Sequence, residues 1–388
     1  MNIKIIAFSL LLALVMLFFC PLFSAGGAQT ALSAGEQYII SDISMQFPIN
    51  AARCAAVIDS ESGNILYLKN ADEKRGMAST TKIMTALVAI ENGNIDCEYA
   101  IPKEAVGIEG SSVYLKEGER LTLRELLYCL MLESGNDAAE AVAIIVGGSS
   151  NRFVELMNER ASELELKSTR FANPHGLSDE NHYTTARELA IIAAEAMKYP
   201  LFCEIVGTKS FGVRYDGQEN GRRLTNHNKL LFSHKSAIGV KTGYTKLDGK
   251  CLVSAAESEG RNIVCVTLQD PFPTATHRSL LDFAFESYES VNICAAGEIF
   301  VDIPISNAEV GFVKAKNPLL CNLTLPKGAR IKTELSLPDS LNAPICRGDI
   351  VGKAHIYADG KEVYVIYLES TETVLEKKKS IFDMLFGK

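Results

Sequence analysis

The stretch Met77-Ala78-Ser79-Thr80-Thr81-Lys82-Ile83-Met84-Thr85-Ala86-Leu87 is the one around which the chain is organised. Ile83, Met84, Leu87 and Val88 recur at helical spacing, so the segment reads as the start of a largely buried helix. Ser79 stands in its first turn, and Lys82 follows three residues later on the same face. That spacing puts an amine beside a hydroxyl at a helix N-terminus, where free backbone N–H groups favour negative charge. A serine oxygen attacking a carbonyl needs a base for its proton and donors for the oxyanion that forms. The stretch can supply the nucleophile, the base and one donor. A capping serine followed by a surface lysine has the same pattern, so the motif alone does not decide.

On either side lie the elements of an α+β domain. Residues 53–60 and 64–69 are β-rich runs joined by Glu61-Ser62-Gly63, a hairpin signature. Thr122-Leu123-Arg124-Glu125 is a capping box that opens an apolar helix to Leu132. The helix breaks at Glu133-Ser134-Gly135-Asn136, and a new one runs from Asp137 to Gly147-Gly148. Helices follow at 152–164 and from Thr185 to the stop at Tyr199-Pro200. Then the period changes. Runs at 237–244, 251–257 and 262–269 are short and apolar with turn residues between them, and a helix at 278–290 follows. A hairpin, then helices, then antiparallel strands imply one antiparallel sheet flanked by helices.

The ends read differently. Lys4, the apolar run from Ile5 to Phe19 and Ala25-Gly26-Gly27-Ala28 make residues 1–28 an export signal, with 29–48 a polar linker. After the α+β region, 49–290, short strand candidates separated by Pro and Gly turns give 291–369 the look of a small all-β domain. Residues 370–388 pair Lys377-Lys378-Lys379 with an apolar stripe, the pattern of an amphipathic helix on an anionic membrane surface. The chain is therefore expected outside the cytoplasm, peripherally attached to the outer surface of the cytoplasmic membrane.

Bulk composition excludes other classes. The 388 residues are 47% hydrophobic and 22% charged, an ordinary globular balance. A net charge of −8 argues against a nucleic-acid partner. The ten cysteines show no C-x-x-C pair and no matching His spacing, so no metal and no other cofactor is expected. Cys129, Cys251 and Cys265 sit in apolar runs and read as buried small hydrophobes.

Two later motifs add weight to the first. Ser134-Gly135-Asn136 falls at the break between apolar helices, where a loop can enter a cleft, and Lys241-Thr242-Gly243 lies within a strand. S-x-x-K on a helix, S-x-N between helices and K-T-G on a strand resemble the penicillin-recognising serine enzymes. With Asn173-Pro174-His175-Gly176-Leu177, Asn226-His227-Asn228-Lys229-Leu230 and the C-terminal β region, the chain resembles the D-alanyl-D-alanine carboxypeptidases among the low-molecular-mass penicillin-binding proteins, peptidase family S11. The resemblance implies that Ser79 is the nucleophile and Lys82 its base, with Lys241 lowering the amine's pKa. It implies that Ser134 relays a proton to the leaving D-alanine and that Asn136 holds the substrate amide or Lys82. Lys241 and Thr242 would face the terminal carboxylate, Gly243 would let substrate lie along the strand, and Ser79 and Tyr244 N–H groups would form the oxyanion hole. The implied partners are peptidoglycan stem peptides ending in D-Ala-D-Ala and β-lactam antibiotics. Arg278 is the candidate for an arginine after the last core strand. His175 reads as a loop-fixing donor, and His227 and His234 as surface residues. A serine β-lactamase and a non-catalytic envelope-binding protein are the alternatives.

Overall fold

The structure, a computed structural model, describes residues 47–215 and 218–377. The first hairpin is β1 (Cys54–Asp59) and β2 (Ile65–Lys69). The Ser79 stretch is a 3-10 turn, Ala78–Thr81, running into α1 (Lys82–Asn92). A small hairpin, β3 (Glu98–Ala100) with β4 (Arg120–Thr122), precedes α2 (Leu123–Leu132). The Thr122–Glu125 capping box is present in both directions. Then come α3 (Asn136–Gly147), α4 (Ser150–Glu163), α5 (Ala186–Met197) and α6 (Pro200–Gly207). The hairpin β5 (Ser210–Tyr215) and β6 (Gln218–Thr225) and a single turn, α7 (Leu230–Ser233), lead to β7 (Ala237–Thr245), β8 (Gly249–Ser258) and β9 (Arg261–Leu268).

Together these form the expected antiparallel sheet, in the order β2-β1-β9-β8-β7. Its middle is buried on both faces, and the two-residue period of a strand divides the side chains between two cores. In β1, Cys54, Ala56 and Ile58 enter the larger core with Ile83, Met84 and Leu87. Val57 enters a smaller one with Leu280, Leu281 and Tyr288. The larger core seats α1, α2, α3 and α5; the smaller is covered by α8 (Pro273–Ser287).

The expected helix at 278–290 thus begins five residues earlier, with Pro273 at its first position, and ends at Ser287. Residues 288–290 instead open β10 (Tyr288–Cys294), which pairs with β13 (Cys321–Pro326). Pro200 stops α5 as expected but also starts α6, the same preference of proline for a first turn.

The C-terminal region is β throughout. Besides β10 and β13 it holds β11 (Phe300–Ser306), β12 (Phe312–Lys316), β14 (Ile331–Ser336), β15 (Leu341–Asn342), β16 (Ile350–Ala358) and β17 (Lys361–Ser370). The last six make a sheet in the order β14-β16-β17-β12-β11-β15. Buried hydrogen bonds join β13, of the β10-β13 pair, to the first hairpin: Thr324 Oγ1 donates to Asp59 Oδ2 at 2.5 Å, and Asn64 Nδ2 to the Thr324 carbonyl at 3.1 Å.

Expectations at both ends are corrected here. A helix over 370–388 does not begin at 370, because residues 371–377 hold no helical turn and pair with the β domain at Val374 and Glu376. Val374 exchanges two backbone bonds with Ile345, and Glu376 bridges to Ala308. Tertiary pairing overrides the helical pattern. Residues 378–388, like the export signal and the linker as far as residue 46, lie outside the described residues; the polar linker expected to run to 48 ends earlier, because Phe47 is buried in the smaller core against Tyr67 and Phe283. Among the nine described cysteines no disulfide forms, and Cys129, Cys251 and Cys265 are buried as expected.

Candidate active site

The site forms where β7 crosses the 3-10 turn. Gly243 on β7 is the point of contact: a Cβ added there would stand 3.0 Å from Ser79 N and 3.1 Å from both Met77 O and Thr80 N. A glycine at this position lets strand and turn backbones approach, and it brings the backbone around Tyr244 beside that of Ser79. A cleft of about 600 Å³ opens there, lined by Ser79, Ser134, Thr242, Gly243, Tyr244 and His227 among others. Lys82, Asn136 and Lys241 are buried beneath it.

The backbone of the nucleophile turn is held from several sides. Ala78 has φ +47°, a left-handed conformation that costs a non-glycine residue roughly 1–2 kcal/mol. Its N–H donates to Asp248 Oδ2 at 3.2 Å, and its carbonyl accepts from Thr81 Oγ1 at 2.8 Å. Gly176 packs against the same carbonyl with no room for a side chain.

Lys82 Nζ has three polar neighbours: Asn136 Oδ1 at 2.7 Å, the His175 carbonyl at 2.5 Å and Ser79 Oγ at 3.1 Å. Asn136 Nδ2 donates to the Glu109 carbonyl at 2.6 Å, which turns Oδ1 toward the amine. Both carbonyl oxygens can only accept. A neutral amine has two N–H bonds and one lone pair, so the two carbonyls take the N–H bonds and the lone pair is left for the Ser79 hydroxyl. The electrostatics favour that neutral form. Burial first, and then the charge of Lys241, hold the Lys82 amine well below its ordinary value, with Asp137 pulling the other way. Burial also lowers Lys241, to about 7, against the opposing pull of Glu133.

Ser134 sits at the α2–α3 break in a left-handed conformation, φ +62°, only 5% exposed and on the cleft wall. Asp137 fixes that break. Its carboxylate accepts from Val113 N, Leu115 N and Ser112 Oγ, which ties the 111–115 loop to the start of α3. The structure therefore gathers all eight residues singled out in the sequence, Ser79, Lys82, Ser134, Asn136, Lys241, Thr242, Gly243 and Tyr244, around one cleft and the pocket beneath it.

Two secondary expectations change, and a third, His227 at the surface, is met and extended. Arg278 is exposed on α8 and lines a separate surface depression, because α8 points it away from the cleft. His175 does fix its loop, but as an acceptor: its Nδ1 takes the Leu177 N–H, and its carbonyl takes Lys82. His227 lines the cleft and meets Glu133 Oε2 at 3.1 Å. Its signal was the Asn226-His227-Asn228 run, whose two buried asparagines pin the loop by bonds to Val206, Thr208 and Gly239 carbonyls. Among the described residues no cluster of His, Cys, Asp or Glu is suited to a metal.

Comparison with known proteins places the chain in a family. Residues 42–271 match the family described as D-alanyl-D-alanine carboxypeptidase (Peptidase S11), and residues 288–376 match the penicillin-binding protein 5 C-terminal domain. The chain is 32% identical over 321 residues to the D-alanyl-D-alanine carboxypeptidase DacF of Bacillus subtilis, covering 80% of this chain and 82% of that one. It is 33% identical over 331 residues to the carboxypeptidase DacA of Escherichia coli, covering 79% of each. Among solved structures, penicillin binding protein 5 of Haemophilus influenzae superposes with a TM-score of 0.77 at 28% identity, over 86% of this chain and all of that one. The Streptomyces K15 DD-transpeptidase superposes with a TM-score of 0.59 at 35% identity, over 62% of this chain and all of that one.

Proposed function

Because the chain belongs to the D-alanyl-D-alanine carboxypeptidases of peptidase family S11, we propose that Ser79 is the residue through which it works. The protein is a serine-type D-Ala-D-Ala carboxypeptidase that acts on peptidoglycan stem peptides and binds β-lactams. In our reading, Lys82 takes the Ser79 hydroxyl proton as Oγ attacks the carbonyl between the two D-alanines. The oxyanion is held by the N–H groups of Ser79 and Tyr244. The C–N bond breaks, and Ser134 passes a proton to the departing D-alanine amine. Charged Lys241 and the Thr242 hydroxyl hold the terminal carboxylate of the substrate. Water then attacks the acyl carbon, the new carboxylate leaves, and Ser79 regains its proton. Penicillin enters by the same attack and leaves slowly.

The observation that carries this reading is the Lys82 amine, buried, depressed in pKa and 3.1 Å from Ser79 Oγ. Incubation with a peptide ending in D-Ala-D-Ala tests it. Wild type should release D-alanine and Ser79→Ala should release none; release by the variant would discard Ser79 as nucleophile.

We also infer that residues 1–28 direct export, so that the enzyme works outside the cytoplasm. The Lys-rich, apolar run over 378–386 would rest on an anionic membrane surface. Loss of binding to anionic vesicles in a chain ending at Lys377 would support the second inference, and unchanged binding would remove it. The boundary between a catalytic domain and a β domain at 290 is supported within three residues by the start of β10 at Tyr288, while the pairing of Val374 with Ile345 and of Glu376 with Ala308 carries the β domain past 369.

A further inference from the structure

His182 lies off the cleft, 4% exposed, between the nucleophile turn and the loop after α4. Its Nδ1 accepts from Ala172 N at 3.0 Å, and its Nε2 is 2.7 Å from Thr81 Oγ1. The direction of this chain of bonds is fixed from both ends. A backbone N–H can only donate, so Nδ1 carries no proton and Nε2 must carry it. Thr81 spends its own hydroxyl proton on the Ala78 carbonyl, a pure acceptor, so Thr81 Oγ1 must accept from Nε2. One ring in one tautomer therefore satisfies every group in the line from Ala172 to Ala78. Phe171 stands edge-on to it at 5.8 Å, and burial pushes the imidazole down to about 4, so the ring is uncharged.

Both ends of this line act on the reacting pair. Ala78 is the strained residue directly before Ser79. At the other end, the Asn173-Pro174-His175 segment that follows Ala172 carries the His175 carbonyl, one of the two acceptors that orient Lys82. Gly176 of the same loop is pressed on Ala78 O and Thr81 Oγ1, with a Cβ there coming to 2.0 Å and 2.9 Å. The nucleophile turn and the loop that aims the base thus meet at His182.

We propose that His182 is a positioning residue for acylation: through Thr81 it fixes the Ala78 carbonyl and hence Ser79, and through Ala172 it fixes the loop that orients Lys82. The proposal rests on the reading of Ser79 and Lys82 given above.

The test uses the full chain, fluorescent penicillin and four variants, with the acylation rate separated from initial binding. His182→Gln can place an N–H near Nε2 and so still donate to Thr81. His182→Asn can place an acceptor near Nδ1 but does not reach Thr81. Thr81→Val removes the hydroxyl from the turn. We expect His182→Asn and Thr81→Val each to slow acylation by roughly 10–10²-fold with initial binding within about threefold, as misplacement of a reacting group does. His182→Gln should recover most of the rate, and the His182→Asn/Thr81→Val pair should be no slower than either single variant. Melting temperatures identify any variant whose fold has failed, and Thr81→Val keeps the test open if both His182 variants unfold. Equal rates for His182→Gln and His182→Asn, a wild-type rate for Thr81→Val, or fully multiplicative losses in the double variant would overturn the proposal. Absence of any acylation of wild type would instead overturn the Ser79 reading on which it rests.

Discussion

Gly243 and Ser79 approach so closely that a methyl group on the first would stand 3.0 Å from the backbone nitrogen of the second. The neighbours of that methyl are backbone atoms on both sides of Ser79, which cannot turn away as a flexible side chain could. Gly243→Ala should therefore push strand and turn apart and splay the two N–H groups proposed as the oxyanion hole. Acylation by penicillin should slow roughly 10–10²-fold, with the fold kept as read by circular dichroism.

The base must lose its proton before it can act. Lys82→Arg preserves a cation but substitutes a group that stays charged at any working pH. If Lys82 serves as a base, the rate of D-alanine release should fall by roughly 10²–10⁴-fold in this variant. If it serves only as a fixed positive charge, most of the rate should survive.

Two lysines in one pocket imply two limbs in the pH profile. Lys82 is needed neutral, and its depressed pKa sets the acid limb of kcat/KM. Lys241 is needed charged to hold the substrate carboxylate, and burial brings it down to about 7, so KM should rise as pH passes upward through that value. Because the two amines interact, the limbs belong to the pair as macroscopic values. Glu133 is the charge that opposes the drop at Lys241, so Glu133→Gln should move the alkaline limb to lower pH. An alkaline limb that does not move would remove Glu133 from the account.

His277 is fully buried between Ser254 Oγ at 2.5 Å and Thr267 Oγ1 at 2.9 Å. Burial lowers its imidazole to about 3, below the ordinary 6.5. The unfolded chain then binds a proton near pH 6.5 that the folded chain refuses. The stability is whole above that pH and is lost as pH falls from 6.5 toward 3, at about 1.4 kcal/mol per pH unit. His175, lowered to about 3, and His182, lowered to about 4, act in the same sense. Thermal melts at pH 8 and pH 5 should show a lower melting temperature at pH 5, and His277→Gln should narrow the gap. An unchanged gap in the variant would exclude His277 as a source.

Much of this site was legible because its parts are local patterns. Ser79 and Lys82 are three residues apart, Ser134 and Asn136 flank one glycine, and Lys241 to Tyr244 are consecutive on a strand whose apolar run is plain. The sheet was legible for the same reason, since β1, β7, β8 and β9 are each a short β-rich or apolar run bounded by turn residues. What the sequence hid depends on distant partners. Asp137 looked like a helix start, yet its carboxylate anchors a loop more than twenty residues upstream. His182 carries no motif, and its meaning arises only because Thr81 is a hundred residues away in sequence and 2.7 Å away in space. The non-helical segment at 371–377 was hidden by a helical pattern that pairing of Val374 with Ile345 overrides.

The most direct measurement is the intact mass of the protein after brief exposure to benzylpenicillin, followed by mapping of the adduct. Attack by Ser79 predicts a gain of one penicilloyl group per chain, confined to the peptide that contains Ser79 and absent from Ser79→Ala. An adduct on another residue, or an equal gain in Ser79→Ala, would contradict it.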